Sequence, residues 1–226
     1  METIIAANGV TRGFKAGGNT FWALKDINVE IEKGKLTLLR GRSGSGKTTL
    51  MNILGALDYP TNGQVIFGGK DIAKISNKKR DKIRRKNMGF VFQSVALVSM
   101  MSAYENVEFG LRIAGYPMRE RRKRAEECLK MVGLQGRMYH MPQEMSGGEQ
   151  QRVAIARAIA HKPQVIFADE PTAELDSNMG LQIMKIFKEL VDKEGITIVM
   201  TTHDPSIMDI ADHVYVMEDG VVTSER

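Results

Sequence analysis

The sequence predicts an α/β fold in which a mostly parallel sheet is covered by helices on both faces. Three observations carry that prediction. First, Gly41-Arg42-Ser43-Gly44-Ser45-Gly46-Lys47-Thr48 fits G-x-x-x-x-G-K-[ST], a phosphate-binding loop, and lies between the apolar run Leu36-Thr37-Leu38-Leu39 and the helix-compatible run Thr49-Leu50-Met51-Asn52-Ile53-Leu54. Second, strand-like and helix-like segments alternate on either side of the middle of the chain. Third, that middle, from about 94 to 162, shows helical periodicity and little β signal, so it reads as an insertion and not a separate domain.

Taken in order, residues 1 to 40 are β-rich. Ile4-Ile5-Ala6-Ala7 and Ile27-Asn28-Val29-Glu30-Ile31 read as strands, the second with period-two alternation, and Lys33-Gly34 turns the chain into the strand before the loop. The helix after Lys47 is expected to run to about Leu57. Asp58-Tyr59-Pro60-Thr61-Asn62-Gly63 is a dense turn signal, and Gln64-Val65-Ile66-Phe67 a short strand. A charged helix over 77–86 precedes the buried strand Met88-Gly89-Phe90-Val91-Phe92, which ends at Gln93. In the middle, helices are expected over Ala103 to Ile113, over Met118 to Val132 with Gly133 as its stop, and from Ser146 onward. Strand Val165-Ile166-Phe167-Ala168, a helix from Ser177 to Lys193, strand Ile196 to Met200, a short helix near Ser206 to Ala211 and a hairpin about Asp219-Gly220 close the chain. The expected organisation is one domain over 1–226. Its nucleotide-binding core spans 1–93 and 163–226, and its helical subdomain spans 94–162.

Composition narrows the class. A chain of 226 residues with 42% hydrophobic content suits one large soluble domain. No apolar run approaches the ~20 residues that span a bilayer, and Met1-Glu2-Thr3-Ile4 shows no signal-peptide pattern. The lone Cys128 sits in a helical pattern with Ala125 and Leu129 and is expected to pack, which fits a reducing compartment. Net charge is +5, with the excess in Lys78 to Lys86 and in Arg119 to Arg124. Each run carries an acid and neither is interleaved with aromatics, so both read as solvated helix faces, with a membrane-surface or partner role as the alternative. Nucleic acid is not expected as a partner.

The glycines of the loop let its N–H groups turn inward toward phosphate oxygens, and the helix that follows adds its positive end. Lys47 would reach the β- and γ-phosphates and the Thr48 hydroxyl would ligate Mg²⁺. Val165 to Ala168 deliver Asp169 and Glu170 at a strand's carboxyl end, where open α/β sheets bind ligands. Asp169 would hold the Mg²⁺ shell, while Glu170, one residue on, is expected to point to the other face, toward the γ-phosphate and its attacking water. Ser146-Gly147-Gly148-Glu149 is a capping box at a helix start. Its two glycines expose N–H groups there, which makes a second anion-binding helix end. Either both ends share one nucleotide, or each completes a site on a partner molecule.

Together, the phosphate loop, Gln93, Met145-Ser146-Gly147-Gly148-Glu149-Gln150, Asp169-Glu170, Leu175-Asp176 and His203 resemble, in order and spacing, the ATP-binding subunits of ABC transporters. Gly89-Phe90-Val91-Phe92-Gln93 and Ala168-Asp169-Glu170-Pro171-Thr172 look like the branch that serves lipoprotein release, macrolide efflux and peptide-antibiotic resistance. The resemblance implies a P-loop NTPase (RecA-like) core with an N-terminal antiparallel β subdomain and an inserted helical subdomain. It implies ATP and Mg²⁺ as ligands, with Gly41, Arg42, Ser43, Gly44, Ser45, Gly46, Lys47, Thr48 and Thr49 at the nucleotide. Glu170, His203 and Gln93 are then catalytic, and Thr48, Gln93 and Asp169 hold the metal. Ser146, Gly147, Gly148, Glu149 and Asp176 would meet the nucleotide across a homodimer. Phe14 matches the adenine-stacking position, with Phe21 and Trp22 as rivals, and any of the three would equally serve as packing. His140, His161 and His213 are read as structural.

Four residues depart from the family pattern: Glu149 where Gln is commoner, Met145 for Leu, Glu174 near the dimer seam, and Arg42 inside the loop. The function implied is an ATP-hydrolysing subunit whose ATP-driven, head-to-tail dimerisation powers a separate membrane permease. Its place would be the cytoplasm, at the inner face of the membrane. The alternatives are an ABC-type ATPase that regulates a non-transporting membrane partner, or a soluble ABC ATPase.

Overall fold

In the computed structural model, which describes residues 2–225, the chain opens with a long antiparallel ribbon, β1 (Thr3–Ala16) and β2 (Asn19–Glu32). Patterning reads only the base of this ribbon, where Ile5, Ala7 and Val10 of β1 and Ile27, Val29 and Ile31 of β2 are buried. Beyond it the ladder continues through Arg12↔Leu24 and Phe14↔Phe21 to a Gly17-Gly18 turn. The tip has no core to face, so no period-two hydrophobic signal marks it. Register shifts at Gly9 and Asp26, both at positive φ, bend the ribbon.

β3 (Leu36–Arg40) leads through the glycine loop into α1 (Lys47–Leu54). α1 ends about three residues short of the expected Leu57. The Gly55 N–H closes back on the Met51 carbonyl and Ala56 takes a left-handed φ of 57°. Next, β4 (Asn62–Phe67) and β5 (Lys70–Asp71) complete an antiparallel sheet of order β2-β1-β4-β5.

The remaining elements are α2 (Asn77–Asn87), β6 (Met88–Val91), α3 (Ala103–Ile113), α4 (Met118–Met131), α5 (Gly147–Ile159), β7 (Val165–Asp169), α6 (Ser177–Glu194), β8 (Thr197–Thr202), β9 (His213–Glu218) and β10 (Val221–Glu225). The short helix expected near Ser206 to Ala211 is a 3₁₀ segment, Pro205–Ile210. The second sheet has order β10-β9-β3-β8-β7-β6 and is parallel throughout except for the β9–β10 hairpin.

Strand alternation divides this sheet's side chains between two cores. Along β7, Val165 and Phe167 pack with Leu50, Leu54 and the ribbon base, while Ile166 and Ala168 pack with residues of α3 to α6. Leu39 and Val199 follow the first pattern; Leu38, Ile198 and Met200 follow the second. A strand buried on both faces reads as a continuous apolar run, which is why β3, β7 and β8 are legible in the sequence.

The basic runs are only partly solvated. Arg80 is 1% exposed, with its guanidinium 3.6 Å from the Tyr59 ring centre. Arg84, Arg121 and Arg124 donate to the carbonyls of Ala56, Tyr116 and Ala160. Lys78, Lys79, Lys82, Arg85, Lys86, Arg119, Arg122 and Lys123 face outward. Cys128 is buried on α4, and burial pushes its thiol up to about 11. Among the described residues, no helix is long and apolar enough to cross a membrane.

Candidate functional site

The carboxyl ends of β3, β6, β7 and β8 open on one cleft of about 880 Å³, and the ribbon tip forms its far wall. The volume is of the size that holds a small ligand. The loop between β3 and α1 forms its floor. Gly46, at the N-cap of α1, has φ 101° and no side-chain cap, and a Cβ there would lie 2.7 Å from the Ala23 carbonyl oxygen. The backbone is therefore closed to side chains where it approaches the ligand space. The N–H groups of the first turn of α1 have no intrahelical acceptor, and Gly46, Lys47, Thr48 and Thr49 all line the cleft. An anion is the partner this arrangement fits.

Lys47 is 5% exposed. Its Nζ donates to the carbonyls of Gly41 and Arg42 at 2.8 and 3.0 Å and lies 3.6 Å from Glu170 Oε1. Thr48 Oγ1 donates to Asp169 Oδ1 at 3.1 Å. Gln93 follows β6 and lines the same cleft. Thr48, Asp169 and Gln93 supply hydroxyl, carboxylate and amide oxygens, a hard donor set suited to Mg²⁺. Among the described residues, no three His, Cys, Asp or Glu converge to hold a metal alone.

Glu170 departs from simple strand alternation. Its φ is 42°, the left-handed region that non-glycine residues rarely enter. As a result Glu170 and Asp169 line the same cleft, not opposite faces of β7. Glu170 Oε2 lies 2.8 Å from Nδ1 of His203. A carboxylate only accepts, so this contact sets the His203 proton on Nδ1.

Sequence reasoning missed Thr201. This residue is fully buried on β8. Its hydroxyl donates to Asp169 Oδ1 at 2.6 Å and accepts the Glu170 N–H at 2.9 Å. One side chain thus holds the first carboxylate and the strained backbone of the second. The only available signal was a doubled threonine, Thr201-Thr202, ending an apolar strand just before His203.

The three aromatic candidates separate cleanly. Phe14 and Phe21 are cross-strand partners on the ribbon and both line the cleft. Trp22 pairs with Gly13, packs its ring where a Gly13 Cβ would stand, and does not line the cleft. Arg42, exposed on the loop, does line it.

The second helix end lies elsewhere. Ser146 Oγ accepts the Glu149 N–H at 3.2 Å, and the Glu149 carboxylate accepts the Ser146 N–H at 2.9 Å. That N–H, with further help from Arg137 at 3.2 Å, holds the Glu149 carboxyl below its ordinary value. Either Glu or Gln can make this reciprocal bond, so the Glu149 departure leaves the cap whole. Ser146 and Gly147 are exposed, and neither they nor Gly148, Glu149 and Asp176 line the cleft. Asp176 accepts the Met179 N–H at 2.9 Å and caps α6. Gly148 lies so close to α6 that a Cβ would meet Met179 Sδ at 2.7 Å. Within one chain, then, the starts of α1 and α5 do not open on the same cleft. The other histidines also stand apart from the cleft: His140 beside Arg137, His161 against the Met88 carbonyl, and His213 beside Glu32.

Comparison with known proteins adds an independent line. The family profile described as ABC transporter matches residues 24–173. An uncharacterised ABC transporter ATP-binding protein of Methanocaldococcus jannaschii, MJ1508, is 44% identical over 219 residues, covering 97% of each chain. The macrolide export ATP-binding/permease protein MacB of Bartonella henselae is 42% identical over 225 residues. That match takes in all of this chain and 34% of that protein, so the chain spans about a third of the length of its macrolide-export relatives. Among solved structures, the dimeric post-hydrolysis state of the ATP-binding cassette MJ0796 bound to ADP and Pi superposes with a TM-score of 0.90 at 41% identity. It covers 98% of this chain and 97% of that one.

Proposed function

The chain belongs to the ABC transporter family of ATP-binding proteins, and on that premise we propose that it is the ATP-hydrolysing subunit that drives a separate membrane permease. The observation that carries this reading is the convergence of Lys47, Thr48, Gln93, Asp169, Glu170 and His203 on one cleft. In it, Lys47 and the first-turn N–H groups of α1 would hold the β- and γ-phosphates. Thr48, Asp169 and Gln93 would hold Mg²⁺, which neutralises phosphate charge. Glu170 would orient or deprotonate the attacking water, with its carboxylate fixed between Lys47 and His203. His203 would meet the γ-phosphate. Catalysis is then positioning plus electrostatics.

Two copies would be needed, because the Ser146 helix end lies outside the chain's own cleft. Head to tail, Ser146 to Glu149 of one copy would close over the ATP held by the loop of the other, with Asp176 crossing the seam. A surface suited to the permease lies beside Gln93. There Leu57, Phe92, Val98 and Ile113 form an open apolar groove with Arg84, Arg85 and Arg157 among them and no carboxylate in its lining. That surface favours a membrane protein offering an apolar, acid-bearing segment, and it would hold this subunit at the cytoplasmic face. The macrolide-export relatives favour the efflux and lipoprotein-release branch for the permease.

Lys47→Ala tests the reading. The folded mutant, checked by far-UV circular dichroism, should lose ATP hydrolysis while keeping the parent spectrum. Normal turnover by a folded mutant would remove Lys47 from the mechanism.

A further inference from the structure

We propose that Arg12 is a positioning residue for base recognition, clamping one face of Phe14 so that the other receives the adenine of ATP. The proposal rests on the ATP reading above and takes Phe14 as the stacking ring. Arg12 and Phe14 are two apart on β1 and so share a face of the ribbon. The Arg12 guanidinium carbon lies 4.5 Å from the Phe14 ring centre. Phe14 lines the cleft and is 41% exposed, whereas Arg12 does not line it. Neither Phe14 nor its cross-strand partner Phe21 belongs to either core. β1 pairs with β4 only as far as Thr11, so the ribbon bearing Phe14 is two strands wide. Packing alone therefore does not hold the ring.

Arg12 is itself held. Its Nε and Nη2 donate to the two carboxylate oxygens of Asp58, each at 2.9 Å. This two-point fork fixes the guanidinium plane, and a fixed plane is what stacking on an aromatic face needs. Asp58 sits in the turn that follows α1, the helix whose first turn would bind phosphate. The Gly13 N–H donates to Thr61 Oγ1 in the same turn. The base platform is thus fastened to the far end of the phosphate-binding helix, which fixes the spacing between the base and phosphate subsites. A lysine at this position would keep the charge but lose both the fork and the flat face.

The test separates base from phosphate. Binding of Mg-ATP and of magnesium tripolyphosphate is measured by calorimetry on the full chain, for parent, Arg12→Met, Phe14→Ala and the double variant. Arg12→Met should weaken ATP about 3- to 10-fold, the range expected for a partly exposed cation–π clamp. Tripolyphosphate, which has no base, should bind as to the parent. The double variant should bind ATP no worse than Phe14→Ala alone, and KM should rise with kcat unchanged. Asp58→Asn, which spares Arg12 but breaks its charged fork, should shift ATP in the same direction by less. Equal weakening of both ligands, or losses that add in the double variant, would overturn the proposal. A Phe14→Ala protein that still prefers ATP over tripolyphosphate as the parent does would overturn it as well, while leaving the ATP reading intact. A parent that binds neither ligand would sink the ATP reading itself.

Discussion

Thr201 is the residue whose role the structure alone supplies. Its hydroxyl stands between Asp169 Oδ1 and the Glu170 N–H, and Glu170 sits at a backbone angle that needs such support. Removing the hydroxyl from this buried position strands one donor and frees one acceptor, a cost of roughly 1–3 kcal/mol. Thr201→Val should therefore lower turnover about 10- to 100-fold and raise the Mg²⁺ concentration needed, with little change in KM for ATP. Thr201→Ser, which keeps the hydroxyl, should restore most of the rate. Equal rates for the Val and Ser variants would show that the hydroxyl is idle. The neighbours of Thr201 in the cleft were legible in the sequence because each stands at a motif spacing that few backbone geometries can use. Lys47 and Thr48 follow a glycine loop, and Asp169 and Glu170 end an apolar strand. A buried threonine on a strand carries no such spacing, since every residue of β8 is buried. The positive φ of Glu170 was hidden for a related reason: glutamate gives no hint of a left-handed backbone.

Elements were read best where one face is buried and a cap marks the end. α3 matches its expected bounds because Ser102 and Glu105 form a reciprocal cap and Val107 and Leu111 fall on one buried face. The ribbon tip was missed because its strands have two open faces, and arginines such as Arg80 were read as solvated because sequence cannot show a ring waiting beneath them. The segment from 94 to 101 shows what exposure adds. Its apolar character fits either core packing or a partner surface, and Leu97 and Met100 divide between the two. Met100 is 87% exposed, while Leu97 packs against the core that α3 to α6 share with the sheet. Met100→Glu should leave folding within about 0.5 kcal/mol of the parent and basal ATPase unchanged, yet reduce the stimulation given by permease-containing membranes. Leu97→Glu should instead lower the unfolding midpoint, because it drives a charge toward a packed site. A Met100→Glu protein with full permease stimulation would remove this segment from the coupling surface.

At the scale of the whole molecule, the starts of α1 and α5 lie apart. α1 opens onto the cleft, whereas α5 opens onto solvent beside α6. Strand alternation, loop glycines and the capping box were all visible in the sequence, and so was the choice between one shared nucleotide and a site completed by a second molecule. The placement of α5 outside the cleft bears on that choice, because separation in space is not written in any local pattern. A Ser146 end outside its own cleft is available to a second copy, which is the arrangement proposed above. Glu170→Gln tests this directly. The amide keeps the size of the carboxylate and one acceptor oxygen, but it cannot take a proton and has no charge to set against Lys47. Loss of a general base costs on the order of 10²–10⁴ in rate, so bound ATP should outlast the measurement. Lys47, Thr48, Asp169 and Ser146 keep their groups, so the intact γ-phosphate should bridge the loop of one copy and α5 of the other at both sites. Light scattering should show a dimer for the mutant in Mg-ATP and a largely monomeric parent, whose turnover removes the bridge. The proposal is falsified if the mutant hydrolyses ATP at the parent rate. A mutant that binds ATP stably and remains monomeric would leave Glu170 in its role and remove the head-to-tail pair for the isolated chain.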